Sequence, residues 1–257
     1  MRINFLLVDA LNLIRRVYAA QPGDDGSERT ESALSSSVHS LQRALRECMP
    51  THAVCVFDSH ETSWRHLLHA GYKANHAPMP EALKLSLAKF EKAFCKIGIS
   101  SLTYPALEAD DIIATLARKV ALRRGNAIIL STDKAFFQLI SDRIKVRDHF
   151  QKLDLGHAYV MERFHVQPGQ FADFLALTGN RTNNIAGVPA IGPKTAARLL
   201  TEFGSLDHVL SAANTIKGRF GRILCKHVKE ARMSQSLMRL RDDIELGLNL
   251  KSFRYSH

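Results

Sequence analysis

The feature of this chain that most narrows its fold is a series of short apolar runs, each separated from the next by a helix-length segment. Asn4 to Val8, Ala53 to Phe57, Ile99 to Tyr104 and Ala127 to Leu130 are rich in apolar or β-branched residues and read as buried strands. Strands joined by crossovers of this length pair in parallel, and the crossover helices cover the sheet. Ile144 to Arg147 alternates and reads as a fifth strand, while Leu83 to Ile97 and Asp111 to Arg124 carry the helical period. The expected class is α/β, with a central, mostly parallel sheet flanked by helices. Past about Gln151, Pro168, Gly169, Gly179, Gly187, Pro189, Gly192, Pro193 and Gly204 break the chain into short helices. We place a soft boundary near residue 155, giving an α/β domain over 1–155 and a helical region over 156–257 with no flexible linker. Gln21 to Ser32 is polar enough to read as a mobile loop.

Composition removes several classes of function. With 46% hydrophobic and 23% charged residues in 257, the chain is neither disordered nor in need of a disulfide scaffold. The four cysteines show no paired spacing and read as reduced thiols of a cytosolic protein. Cys48, His52 and Cys55 lack a fourth member for zinc. The N-terminal apolar run meets Asp9 too early for a secretion signal or a membrane span, so a cytoplasmic location and no membrane partner are expected. Nothing points to an obligate protein partner. The formal net charge of +10 favours a polyanion. Lys217, Arg219, Arg222, Lys226, Lys229 and Arg232 crowd one segment in which Glu230 is the only acid. That segment reads either as a phosphate-binding face or as a solvated helix.

Chemistry gathers where the strands end. In open parallel sheets, sites form outside the carboxyl ends of the strands, and Asp9, Asp58 and Asp133 stand on or just past three of them. Glu108, Asp110 and Asp111 follow Tyr104-Pro105 at the entry to a helix. One such acid alone is more often a turn residue or a helix cap. Several converging carboxylates repel one another, so basic side chains or a hard cation such as Mg²⁺ must neutralise them. Arg65 and Lys73 lie just downstream of Asp58, a mixture that suits phosphodiester hydrolysis, although each also reads as a simple surface ion-pair partner.

A second constellation is the glycine-rich turn from Gly187 to Ala197, which opens onto a helix. The turn Ala190, Ile191, Gly192, Pro193, Lys194 and Thr195, whose backbone N–H groups other than at Pro193 lie at a helix start, can hold a DNA phosphate without reading a base. It is not a P-loop, because Pro193 separates Gly192 from Lys194. The pattern is that of a helix-hairpin-helix.

Asp9 with Asn12, Phe57-Asp58 with Arg65, Tyr72 to Asn75, Glu108 to Asp111, Ser131 to Asp133 and Gly187 to Ala196 occur together in one order. In that series the chain resembles, over nearly its whole length, the flap endonuclease or 5′ to 3′ exonuclease family, and in size its free-standing bacterial, exonuclease IX-like members. The resemblance implies a PIN or flap-nuclease-like fold with a C-terminal helix-hairpin-helix region. It also implies a structure-selective, Mg²⁺-dependent DNA nuclease acting at 5′ flaps or ends of duplex DNA. Asp9, Asp58, Glu108, Asp110, Asp111 and Asp133 would form or support one metal site, with Asp110 the leading ligand, and Lys73 and Arg65 would contact the scissile phosphate. Backbone carbonyls of Leu177, Thr178, Ala186, Val188 and Ile191 would hold K⁺ at the hairpin. Lys194, Arg222, Lys226 and Lys229 would hold DNA phosphates.

The chain departs from the family pattern at Ala135, Asn180 and Asn183, which stand where further aspartates serve a second metal, and at His76, which replaces an arginine. Asparagine is nearly isosteric with aspartate but neutral, so a second metal should be weak or absent. Two other readings stay open: a DNA-binding protein with vestigial catalysis, and a phosphatase or phosphotransfer protein built on strand-end aspartates.

Overall fold

The computed structural model describes residues 3–59 and 61–255. Six strands, β1 (Asn4–Asp9), β2 (His52–Val56), β3 (Ser100–Leu102), β4 (Asn126–Leu130), β5 (Ile144–Asp148) and β6 (Leu153–Leu155), form one sheet in the order β3-β2-β1-β4-β5-β6. The pairings among β1 to β5 are parallel, and β6 runs antiparallel to β5. The chain builds outward from β1 through β2 to β3, then returns to place β4 on the other side of β1. The topological switch, where an open α/β sheet leaves a crevice, therefore lies between β1 and β4.

Helices α1 (Ala10–Ala19), α2 (Ser27–Cys48), α3 (Trp64–Leu68), α4 (Glu81–Lys96) and α5 (Ala109–Leu122) belong to the crossovers. The remaining helices are α6 (His157–Phe164), α7 (Phe171–Thr178), α8 (Pro193–Phe203), α9 (Leu206–Ser211), α10 (Arg219–Lys226) and α11 (Val228–Met238). Successive side chains of β1 enter opposite faces, as the pleat requires. Leu6 and Val8 pack with Leu13, Leu41 and Phe90 of α1, α2 and α4. Phe5 and Leu7 belong to the other core, with Ile112 and Ile113 of α5, which continues into Leu177, Leu200 and Val209 of the C-terminal helices. That continuity places the helical region against the sheet's own core. No helix among the described residues is long and apolar enough to cross a membrane.

The structure departs from the sequence reading in three places. The third strand, Ser100–Leu102, is shorter than Ile99 to Tyr104, and Pro105, with no N–H, cannot extend the ladder past it. Half of the expected loop Gln21 to Ser32 is helical: α2 begins at Ser27, and Arg29 binds Asp25 at 2.8 Å and lies over the Tyr18 ring. Beyond α11 an irregular strap from 239 to 249 runs along α5, with Arg241 N–H donating to Asp111 and Lys119 donating to the Ile244 carbonyl.

Candidate active site

The four strand-end and helix-entry aspartates lie within electrostatic reach of one another at the carboxyl ends of β1, β2 and β4. Asp9 ends β1 and caps α1, accepting from the Asn12 N–H at 3.2 Å and from Ser131 Oγ, beyond β4, at 2.8 Å. Asp58 follows β2 and accepts from the Ala109 N–H at 2.7 Å, at the start of α5. Asp133 follows β4 and caps the short turn Lys134–Leu139 through the Ala135 N–H at 2.7 Å. Asp110 lies in the first turn of α5. Burial, followed by repulsion from Asp58 and Asp133, pushes Asp9 up to about 7 in spite of its hydrogen bonds. Burial and the charges of Asp133, Asp9 and Asp58 raise Asp110 well above the ordinary range, outweighing Lys73. Asp9 and Asp110 thus respond to burial and to the charges of Asp58 and Asp133, and caps that look structural one at a time together build a negative site.

Glu108 stands apart from this group. Burial works to raise it, but Lys73 at 2.7 Å and Arg65 at 3.5 Å bring it down to about 2. Ser63 and Tyr72 also donate to it. Its oxygens are occupied by protein donors, so it supports Lys73 rather than offering a free metal ligand. Lys73 keeps partial exposure, and attraction from Asp110, Glu108 and Asp58 overcomes burial to hold its ammonium charged.

Two expected roles are corrected by geometry. Asp111 is fully buried and grips Arg65 through both oxygens, at 2.9 and 2.7 Å, while also accepting from Trp64 and from the Arg241 N–H. It has no face left for a metal. Arg65 is 1% exposed; its Nε and Nη2 donate to the carbonyls of Leu237 and Arg239, and its Nη1 stands 3.5 Å from Glu108. A guanidinium so enclosed cannot reach a scissile phosphate. It clamps α3, α5 and the C-terminal strap together.

The hairpin lies between α7 and α8. A bridge between Asn180 and Ile185 and the Val188 N–H to Leu177 carbonyl bond at 2.9 Å close it. A Cβ on Gly187 would stand 2.4 Å from the Gly179 nitrogen, so only glycine permits this backbone approach. Of the carbonyls expected around K⁺, Leu177 and Val188 accept backbone hydrogen bonds and Ala186 accepts from Ser234 Oγ at 2.7 Å. Each carbonyl retains a second lone pair. Ala190, Gly192, Pro193 and Lys194 are exposed at the start of α8, with Thr195 partly so and the Ile191 side chain buried beneath them. Arg222, Lys226 and Lys229 are exposed on α10 and α11.

The neutral positions are put to structural use. Ala135 is buried in the turn after Asp133. Asn180 Oδ1 accepts from the Asn183 N–H at 3.2 Å, and the Asn183 carbonyl accepts from the Lys73 N–H at 2.9 Å. Asn184 donates to the Gly71 carbonyl and accepts from Asn75. The loop bearing Lys73 is thus docked on the hairpin. His76, also on that loop, is held below its ordinary value by burial and by Lys73 and Arg15, so it is neutral near pH 7. Sequence reasoning missed Ser63 as a Glu108 donor and the strap as a partner of Arg65, since neither carries a local motif.

Comparison with known proteins agrees with this geometry. Residues 4–165 match the 5′-3′ exonuclease N-terminal resolvase-like domain, and residues 166–257 match the 5′-3′ exonuclease C-terminal SAM fold. Proteins named flap endonuclease Xni are similar throughout. That of Tolumonas auensis is 39% identical, covering 98% of each chain. That of Vibrio parahaemolyticus is 40% identical, covering 100% of this chain and 98% of its own. In fold, T5 5′-exonuclease with bound divalent metal ions (zinc) superposes with a TM-score of 0.78 at 21% identity, over 93% of this chain and 90% of that one. The catalytic core of Rad2 in complex with DNA substrate gives 0.60 at 14%, over 95% and 80%. With both domain matches in sequence and near-complete coverage of its relatives, the chain belongs to the 5′-3′ exonuclease family.

Proposed function

We propose that the chain is a structure-selective DNA nuclease that hydrolyses a phosphodiester at 5′ flaps or ends, using one well-held Mg²⁺ at Asp110, Asp9, Asp58 and Asp133. The observation that carries this reading is the set of four aspartates at the carboxyl ends of β1, β2 and β4 and the start of α5, where burial and the charges of Asp58 and Asp133 drive Asp9 and Asp110 toward the protonated form. Their hard oxygen donors fit a hard divalent cation. Among the described residues no three His, Cys, Asp or Glu side chains stand close enough to enclose an ion alone, and Mg²⁺, which keeps several waters, asks for no such cage. When bound, the ion supplies hydroxide near neutral pH and polarises the phosphate. Lys73, braced by Glu108 and kept charged, holds a non-bridging phosphate oxygen and stabilises the charge that develops there.

The region 156–257 binds the duplex part of the substrate. The exposed start of α8 offers N–H groups to a backbone phosphate, and Arg222, Lys226 and Lys229 extend the contact. K⁺ at the carbonyls of Leu177, Thr178, Ala186, Val188 and Ile191 would bridge the hairpin to DNA; carbonyl oxygens without a nearby carboxylate suit a weakly hydrated monovalent ion. The relatives named flap endonuclease support the substrate class. The neutral Ala135, Asn180 and Asn183 favour a second reading, a binder of the same DNA structures with vestigial catalysis. The test is cleavage of a 5′-flap duplex with Mg²⁺. Cleavage that Asp110→Ala abolishes supports the nuclease, whereas tight binding without cleavage by the wild type replaces it with the binder.

A further inference from the structure

His149 follows β5, is 2% exposed and takes no part in the catalytic account. Its Nε2 stands 2.8 Å from Ser40 Oγ and 2.9 Å from Arg43 Nη2, both on α2. A guanidinium only donates, so Nε2 is the accepting nitrogen and the ring proton sits on Nδ1. Burial and the charge of Arg43 keep the ring neutral near pH 7. Nδ1 is thus a buried N–H donor, and it has no hydrogen-bond partner among the described residues. Leaving such a donor unmade is costly, which calls for an acceptor beside it.

The place for that acceptor is a cavity of about 10 Å³ lined by His149, by Asn12 of α1 and by Ser131 and Thr132 just past β4, with apolar groups between them. Neither Ser40 nor Arg43 lines it, so the cavity lies toward the ring edge opposite Nε2. Its size matches the roughly 10–15 Å³ that one water needs and excludes a larger ligand. The polar lining leads straight to the acidic site. Ser131 Oγ donates to Asp9 at 2.8 Å and accepts from the Asp133 N–H at 3.1 Å, so one hydroxyl ties two of the four aspartates together. Its proton is committed to Asp9, and a second lone pair remains to accept.

We propose that one water fills this cavity, accepts from His149 Nδ1 and donates to Ser131 Oγ, which makes His149 a positioning residue for Asp9 and Asp133. It rests on the metal site of the nuclease reading and deepens it. Ser40 and Arg43 of α2 set the tautomer of His149, the tautomer holds the water, and the water fixes the direction of the hydroxyl that orients both carboxylates. Removing a group that stands behind a metal ligand changes metal affinity by about 10–100-fold. Acting through a water and a hydroxyl, His149 belongs at the lower end of that range.

Three variants separate the two edges of the ring. His149→Asn keeps a donor near the Nδ1 position and gives up Nε2, His149→Gln keeps an acceptor for Ser40 and Arg43 and gives up the donor, and His149→Phe gives up both. The probe is Mn²⁺ binding to the protein without DNA, followed by the paramagnetic resonance of the free ion, together with imidazole nitrogen NMR of the wild type. The spectra should show His149 protonated at Nδ1, with that proton in cross-relaxation with a bound water. The dissociation constant for Mn²⁺ should rise about tenfold in His149→Gln and His149→Phe and stay within about twofold of the wild type in His149→Asn. A proton on Nε2, no water contact at Nδ1, or wild-type Mn²⁺ affinity in His149→Gln overturns the proposal. So does an equal loss in His149→Asn and His149→Phe, since packing alone would then explain both. Failure of the wild type to take up Mn²⁺ at all would instead sink the metal site of the nuclease reading, and the NMR contact then decides the water by itself.

Discussion

Asp110 and Asp111 are adjacent in the chain and do opposite work. Asp110 belongs to a group of acids that repel one another, while Asp111 neutralises a buried guanidinium. Asp110→Ala should therefore lower cleavage by at least about a hundredfold with little loss of melting temperature. Asp111→Ala should destabilise the fold by about 3–5 kcal/mol, because it strands Arg65 as an uncompensated buried charge. Chemical denaturation of the two variants separates these roles. Lys73→Ala should reduce kcat by about 10²-fold or more and change KM less, as expected for a charge that acts mainly on the transition state; single-turnover kinetics checks this. His149 gives a pH signature. Burial, then the charge of Arg43, pushes it down to about 4 from 6.5, and Arg43 donates to its Nε2. The unfolded chain takes up that proton near pH 6.5 while the folded chain refuses it until about 4, so stability falls as the pH drops through this window, by about 3 kcal/mol. His149→Phe should flatten this part of the denaturation profile; an unchanged slope would contradict it.

At the scale of elements, the strand ends were legible and the clamp was not. An apolar run that stops at an aspartate is a local signal, and so is a glycine-dense turn before a helix. Arg65 finds its carbonyl partner Leu237 across 172 positions of sequence, and no spacing rule links them. The hairpin was legible for a steric reason that the structure makes concrete: Gly187→Ala drives a Cβ into the Gly179 and Thr178 backbone. That variant should lose DNA affinity and lower the melting temperature, whereas Ala186→Pro should be tolerated in affinity, since a proline keeps the carbonyl. The K⁺ bridge predicts tighter DNA binding in KCl than in NaCl or a bulky organic chloride at equal ionic strength, and equal affinity in all three would remove it. Replacing Lys194, Arg222, Lys226 and Lys229 together should flatten the salt dependence of binding, because each phosphate contact releases counterions. A quadruple variant with the wild-type slope would take this face out of the account.

Over the whole molecule, the sheet fixes the acids and the helical region fixes the loop that carries Lys73. The Asn183 carbonyl accepts from the Lys73 N–H, and Asn184 donates to the Gly71 carbonyl, so the loop that carries Lys73 is docked on the hairpin. The fold class was readable because strand and helix periods differ, and the resemblance in motif order ran over nearly the whole length of the chain. The strap beyond α11 was not readable: its polar residues show no period, and its order comes from α5 and Arg65. The account's central claim is that one divalent cation at Asp110 and its neighbours drives strand cleavage. The most direct measurement is the single-turnover rate of 5′-flap cleavage as a function of Mg²⁺ concentration, for the wild type and for Asp110→Ala, with DNA affinity measured alongside. The account predicts a rate that rises with first-order dependence on Mg²⁺ to a plateau in the wild type and vanishes in Asp110→Ala while DNA is still bound. No cleavage at any Mg²⁺ concentration, or equal rates in the two proteins, would contradict it.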